Sequence, residues 1–277
     1  MLKALALLAS VALLPVQDTD WVQVRKEWNQ PVTPFAIAGN VHYVGTAGIS
    51  AYLIATPEGH ILIDGAMEES VPQIAANIRA LGFKLGDVKI LLINHAHWDH
   101  CGGLAALKRL TGARLLASAG DKPALEAGRQ DYRPDLDAFP KVQVDGVIGD
   151  GTPIRLGGTI LTTHLTPGHT KGCTSWTMRT NGFDIVFACS LSVAGQPLIA
   201  GNGYDTAASD FRATFAKLRA MRADIFLNFH PSAFDMDAKR KRLAAGDTWA
   251  FVDPGELARR IATAEAAFEA DLAKANQ

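Results

Sequence analysis

What the chain has little of narrows it first. It has three cysteines, Cys101, Cys173 and Cys189, scattered without framework spacing, so small buried residues are the default reading for them. An odd number leaves at least one thiol free in an oxidising compartment, and all three stand beside the motifs described below. The formal net charge is −1, which gives no electrostatic case for a nucleic-acid partner. The one basic cluster, Lys239-Arg240-Lys241-Arg242, lies in ordinary polar sequence and reads as a solvated face. No Ser-x-x-Lys motif is present, so nothing points to a serine nucleophile of that type. The N-terminal apolar run, residues 4–14, falls well short of the about 20 residues of a membrane span.

That run follows Lys3 and gives way to Pro15 and the polar Gln17-Asp18-Thr19-Asp20. A basic start, a short apolar run and a polar exit describe a secretory signal over residues 1–17. No small-x-small pair marks its cleavage, and no cysteine follows it to carry a lipid. The remainder, residues 18–277, is expected to be exported and soluble. Of the 277 residues, 48% are hydrophobic and 20% charged, which suits a globular protein: one large domain or two halves sharing a core.

Residues 20–63 read as strand and turn, with β-type runs at 35–38, 41–44, 49–54 and 60–63. An amphipathic helix follows at 70–81, with Ser70 as N-cap and Gly82 as its stop. Next come a strand at 88–93, a helix from Leu104 to Gly112, a strand at 114–118 and a short helix at 122–127. Residues 128–151 are poor in periodic apolar residues, and a stretch this long reads as a flap beside a site. Strands are then expected at 152–156, 159–165, 175–178 and 185–189, a helix at 209–220 and a strand at 224–229. Asp253-Pro254 opens a last helix whose stripe of Leu257, Ile261, Ala264, Phe268 and Leu272 packs on the core. Two strand-rich halves, each followed by helix, imply an α/β protein with two sheets face to face and helices outside, a single domain over 18–277.

The strongest signal is Asn94-His95-Ala96-His97-Trp98-Asp99-His100, which closes the apolar strand at 88–93. In an extended continuation His95, His97 and Asp99 share one side, and His100 enters from the following turn. Three imidazoles and a carboxylate so close together suit a borderline metal such as zinc. His169, in Thr166-Pro167-Gly168-His169-Thr170, and His230, after Phe229, also sit at the mouths of strands. Metals need three or four protein donors, so both are expected ligands. His95, His97 and His169 then make a three-histidine site with one open position, and Asp99, His100 and His230 a second site. His42, His60 and His164 lack such context and read as structural, with His164 within reach of a ligand's outer side.

At these residues the chain resembles the metallo-β-lactamase superfamily: His95 to His100 spell its HxHxDH motif, followed by the TPGHT segment and the late His230. The resemblance covers nearly all of residues 18–277 and implies an αββα sandwich with two Zn2+ ions at one edge, between the sheets. Phe139-Pro140, Val144-Asp145, Cys189-Ser190-Leu191-Ser192, Asp253-Pro254 and Tyr43-Val44-Gly45-Thr46 resemble the third subclass of β-lactamases, which is periplasmic and has an all His/Asp second site. The implied activity is hydrolysis of the β-lactam amide by a metal-bridging hydroxide, conferring antibiotic resistance. Asp99 would hold the second zinc and take the proton, and Ser190 and Ser192 would bind the substrate carboxylate. A small-molecule substrate, no nucleic acid, no stable membrane association and a monomeric state complete the expectation. The alternative is a related di-zinc hydrolase of lactones or thioesters. Those relatives usually carry a bridging aspartate where this chain has Ala188-Cys189. A shifted alignment would make Cys189 itself a ligand.

Overall fold

The structure is a computed structural model and describes residues 20–277; the leader read at 1–17 lies outside the described residues. A helix, α1 (Trp21–Trp28), comes first. Seven strands then form one sheet in chain order: β1 (Phe35–Ala38), β2 (Val41–Tyr43), β3 (Tyr52–Thr56), β4 (Gly59–Ile63), β5 (Val88–Leu92), β6 (Arg114–Ser118) and β7 (Gly146–Ile148). The first three steps, β1 to β4, are antiparallel hairpins, and the last three, β4 to β7, are parallel. Parallel neighbours need a crossover, and helices supply each one. Helix α2 (Val71–Ala80) joins β4 to β5, α3 (Trp98–Cys101) and α4 (Leu104–Thr111) join β5 to β6, and α5 (Lys122–Ala127) lies before β7.

The second sheet has five strands: β8 (Pro153–Leu156), β9 (Thr159–Leu165), β10 (Thr174–Thr180), β11 (Phe183–Ala188) and β12 (Ile225–Asn228). Its one parallel pair, β11 with β12, is bridged by α6 (Ala207–Arg219). Helices α7 (Met236–Ala244) and α8 (Glu256–Ala275) complete the chain. The arrangement is the expected αββα sandwich of two mixed sheets.

Strands β3 and β4 explain why their sequences are apolar throughout. Tyr52, Ile54, Ile61 and Ile63 face the second sheet and join Trp176, Phe187 and Phe229 in the inter-sheet core. Leu53 and Leu62, between them, point the other way and pack under α2 and α4 with Ile74, Ile78, Leu104 and Leu107. A strand covered on both faces reads as a continuous apolar run. Tyr52 also ties the sheets directly, its hydroxyl donating to the carbonyl of Asn228 at 2.5 Å.

Several expectations need correction. Residues 21–28 are helical, not strand. Asp20 caps α1 by accepting from the N–H groups of Val22 and Gln23, and Trp21 and Trp28 gain contacts with Trp98 that no local pattern reveals. The strand expected from Ile49 begins at Tyr52, because Ser50 N–H donates instead to Phe229 O. Ser70 does not cap α2: its hydroxyl donates to Asn29 Oδ1 at 2.7 Å. Lys239 is not solvated but buried in an ion pair with Glu256 of α8. Cys173 and Cys189 are joined as a disulfide, with Cα atoms 5.9 Å apart, and Cys101 is a free buried thiol.

The stripe on α8 packs as expected. Leu257, Ile261 and Phe268 are buried, and Phe268 lies 5.2 Å from the ring of Phe211 and 5.7 Å from that of Phe215 on α6. Emptying that site leaves a cavity that two helices and a sheet cannot close. Phe268→Ala is therefore expected to lower unfolding stability by about 3–5 kcal/mol, measured by urea denaturation at matched metal loading.

Candidate metal centre

The site forms where β4, β5, β9 and β12 end at one edge of the sandwich. After β5, His95 and His97 are in extended backbone; the chain then turns helical at Trp98, with the N–H groups of His100 and Cys101 donating to His97 O. Asp99 and His100 thus project from a helical turn, not from the extended run the spacing suggested. The turn after β9 brings His169, and His230 follows β12. Gly168, just before His169, has φ +136, a backbone that side chains rarely adopt, and Phe211 packs against it.

The outer nitrogens of four rings are taken by acceptors. His169 Nδ1 donates to Ser192 O at 2.7 Å, His230 Nδ1 to Gly48 O at 3.3 Å and His100 Nδ1 to Asp64 Oδ2 at 2.9 Å. His95 Nδ1 donates to Asn94 Oδ1. These bonds fix the tautomer and aim the Nε2 lone pairs inward. His95 Nε2 comes to 3.2 Å from His169 Nε2, and His100 Nε2 to 3.1 Å from His230 Nε2. His97 Nε2 is buried with no hydrogen-bond partner.

An orphaned buried nitrogen and two facing pairs of ring nitrogens are the pattern a cation would resolve. Three groups of donor atoms each lie within 4.8 Å of one another, and with His95–Cys173–Cys189 closed off by the disulfide two are left: His95 with His97 and His169, and Asp99 with His100 and His230. They are the two sets expected from the sequence. Burial holds His95 and His97 well below the usual histidine range, helped by neighbouring rings, and holds His169 and His230 down to about 4. Neutral imidazole is the form that binds a metal. Burial also opposes charge on His100, yet Asp99 and Asp64 outweigh it and raise that ring above its ordinary value. A metal would take the place of that proton. Asp99, despite its burial, is held below the carboxylate range by His100 and His230.

Five of these six residues, all but the fully buried His100, line an open cavity of about 430 Å3. Trp28 and Trp98 stack with rings 6.2 Å apart, Trp21 meets Trp98 edge-on, and Trp28 meets His230 at 5.3 Å, so α1 walls one side. Gly48 makes that fit possible: a Cβ there would come 2.4 Å from the Trp28 ring. Residues 133 and 135–137 of the long irregular segment also line the cavity, beside the site as expected. Ser192 borders the cavity, whereas Ser190 lines a neighbouring one, its Oγ 3.0 Å from Ser192 Oγ. His164 bonds Thr177 Oγ1 at 2.8 Å and touches no site histidine. Cys189 Sγ lies 3.8 Å from His95 Nδ1, but its bond to Cys173 removes it as a thiolate ligand.

Three polar residues escaped the sequence reading. Asp64, buried at the end of β4 with φ 76, accepts from His100, Asn94 and the Ala66 N–H. Asn94 links Asp64 to His95. Asp121 is fully buried and accepts from Ala96 N at 3.0 Å, Thr170 Oγ1 at 3.2 Å and Gly172 N at 3.2 Å. One carboxylate thus joins the segment carrying His95 and His97 to the turn carrying His169, though burial pushes its pKa up to about 7. A carboxylate directly after an apolar strand was the available signal for Asp64. Asp121 offered none.

Taken together, the fold and the donor sets define a metal-dependent hydrolase of the αββα type. The chain belongs to the metallo-beta-lactamase superfamily, whose sequence model matches residues 44–230. Among solved structures, it is similar to a Cronobacter sakazakii metallo-beta-lactamase described by a HARLDQ motif, at 42% identity and TM-score 0.89, covering 91% of this chain and 99% of that one. Where that motif reads Arg and Gln, this chain has His97 and His100. It is similar as well to a subclass B3 metallo-beta-lactamase of Bradyrhizobium japonicum, at 43% identity and TM-score 0.86 over 91% and 98% of the two chains. Among curated proteins, a metal-dependent hydrolase of Anaeromyxobacter dehalogenans is 29% identical over 72% of this chain and 68% of its own length.

Asp121 yields a selective prediction. Asp121→Asn turns one of the two acceptor oxygens into an amide donor, so that it faces either the Gly172 N–H or the Ala96 N–H and Thr170 hydroxyl, and this loosens the His95–His97–His169 group, leaving Asp99, His100 and His230 untouched. Metal affinity at the first group should fall about 10- to 100-fold, with a much smaller change at the second, read by competition with a chromophoric chelator.

Proposed function

We propose that this protein is a zinc β-lactamase that hydrolyses the amide bond of penicillins, cephalosporins and carbapenems. Two Zn2+ ions would be held, one by His95, His97 and His169 and the other by Asp99, His100 and His230. The observation that carries the reading is the convergence of two donor sets beneath one open cavity, with five of the six residues lining it and His100 buried behind them. The likeness to B3 β-lactamase structures along nearly the whole described chain supports it.

Zinc, when bound, supplies a Lewis acid that polarises a carbonyl and makes water more acidic. The chain does the rest by position and charge. The Nδ1 bonds of four rings hold the ligand geometry before substrate arrives, so little reorganisation is left for the reaction. Asp99 turns Oδ2 toward His100 and His230, at 3.3 and 3.6 Å, which leaves Oδ1 to accept a proton from the attacking water. The indoles of Trp28 and Trp98 present an apolar face to the fused ring of the substrate and keep solvent off that side. Ser192 Oγ, backed by Ser190 Oγ at 3.0 Å, would donate to the substrate carboxylate.

The lactone or thioester reading is the weaker one. Its expected bridging aspartate would fall at Ala188-Cys189, where Cys189 is committed to Cys173. The N-terminal reading extends the proposal to a periplasmic, monomeric enzyme that confers antibiotic resistance. Zinc-loaded protein should turn over a penicillin, a cephalosporin and a carbapenem, and lose this with a chelator. Activity on a phenyl thioester or a lactone should be far lower. His169→Ala is expected to lower kcat/KM at least about 100-fold and to bind fewer metal equivalents. Turnover of lactone or thioester alone would keep the site and overturn the substrate assignment.

A further inference from the structure

Two buried tyrosines, Tyr132 and Tyr204, meet next to the turn that carries His169, their rings 5.3 Å apart. Tyr132 belongs to the long irregular segment before β7, and Tyr204 to the stretch between β11 and α6. Both segments reach the metal-lined cavity, the first with Arg133 and Asp135, the second with Ser192 and Gly195. They also touch each other: a Cβ on Gly203 would lie 3.4 Å from Tyr132 Cβ. Phenylalanine would fill the same space, so packing alone leaves the two hydroxyls without a purpose.

The hydroxyls go to one peptide group. Tyr204 donates to Thr170 O at 3.2 Å, and Tyr132 accepts from Lys171 N at 3.2 Å. Those two atoms are the carbonyl oxygen and the nitrogen of the single amide that joins Thr170 to Lys171. An amide is planar and stiff, so holding both of its ends fixes the plane. Thr170 O also accepts from Gly168 N at 3.1 Å, a bond that closes around His169. The Lys171 ammonium lies over the Tyr132 ring at 4.4 Å, which holds that ring against the turn. His169 itself is held at its ring by Ser192 O, from the same stretch as Tyr204. Asp121 ties this turn to the segment of His95 and His97, whereas the tyrosines tie it to the segments that line the cavity.

We propose that Tyr132 and Tyr204 are positioning residues for His169, through which the two cavity-lining segments set the strength of the first donor group. The inference rests on the reading of His95, His97 and His169 as metal ligands and is independent of the substrate. Coupling of this kind is reciprocal. Whatever fixes the two segments tightens the metal, and the metal in turn steadies the segments.

Tyr132→Phe and Tyr204→Phe each remove one oxygen and keep the ring. In full-length protein titrated with zinc, each should weaken the His95–His97–His169 group about 3- to 10-fold and leave the Asp99–His100–His230 group unchanged. The Nδ1 proton that His169 places on Ser192 O should shift in the NMR spectrum, while those of His100 and His230 stay. Zinc should slow amide hydrogen exchange across residues 129–137 and 193–203 of the wild type, and less so in either variant.

Urea unfolding of the metal-free protein separates positioning from plain stability. Equal losses at the two groups would overturn the proposal, as would lower metal-free stability with both zinc affinities unchanged. Exchange in the two segments that zinc leaves unaltered would overturn it as well. The ligand reading is judged separately, on His169→Ala: an unchanged zinc stoichiometry there would sink that reading and the proposal with it.

Discussion

Four buried imidazoles, the partly buried ring of His230 and the carboxylate of Asp99 lie within a few ångströms of one another, and the rest of the structure answers to that crowding. Rings so placed would turn away or take up protons unless each were held from outside. The chain holds four of them by the nitrogen that faces away, using Ser192 O, Gly48 O, Asp64 and Asn94. These partners come from four separate stretches of chain. The site is therefore a property of the whole edge of the sandwich, and no single loop could form it alone. Asp64 carries the cost most visibly, with a positive φ at a fully buried position so that one carboxylate can bond His100, Asn94 and Ala66.

The two sheets do complementary work. The first places β4 and β5 side by side, so Asp64 at the end of one meets His100 just beyond the other. The second places β11 beside β12, which brings the Ser192 loop and His230 to the same edge. The Cys173–Cys189 bond joins the His169 turn to the end of β11 behind this edge. Burial of β3 and β4 on both faces makes the platform stiff, and stiffness is what a preorganised set of ligands requires.

Substrate-facing surface is added by segments outside the sheets. Helix α1 brings Trp21 and Trp28 against Trp98, and the long segment before β7 brings Arg133 and Asp135. Arg25 fastens these two walls to each other and to the fold, bonding Glu69 and Asp137 while lying over the Trp98 ring at 4.4 Å. Chemistry is thus held by strand ends, and selectivity by a helix and a loop that can vary without disturbing it.

By itself the sequence determined which runs would be buried and which residues would come together as donors able to hold a metal. Apolar runs of the right length placed every strand except β7, which falls in the stretch read as a flap, and the short spacing from His95 to His100 marked the donor cluster because few other arrangements need such a pattern. His169 and His230 were legible because each follows a strand and a metal lacks donors without them. Tertiary structure alone decided that residues 21–28 form a helix, that Cys173 and Cys189 pair, and that Lys239 is buried on Glu256. It alone revealed which groups Asp64 and Asp121 bond. The physical reason is the same in each case. Asp121 binds chiefly backbone N–H groups, which every residue but proline carries, and Asp64 bonds Asn94 and His100 from a different strand end. Neither leaves a periodicity or a spacing, so their roles exist only once distant segments have been brought together.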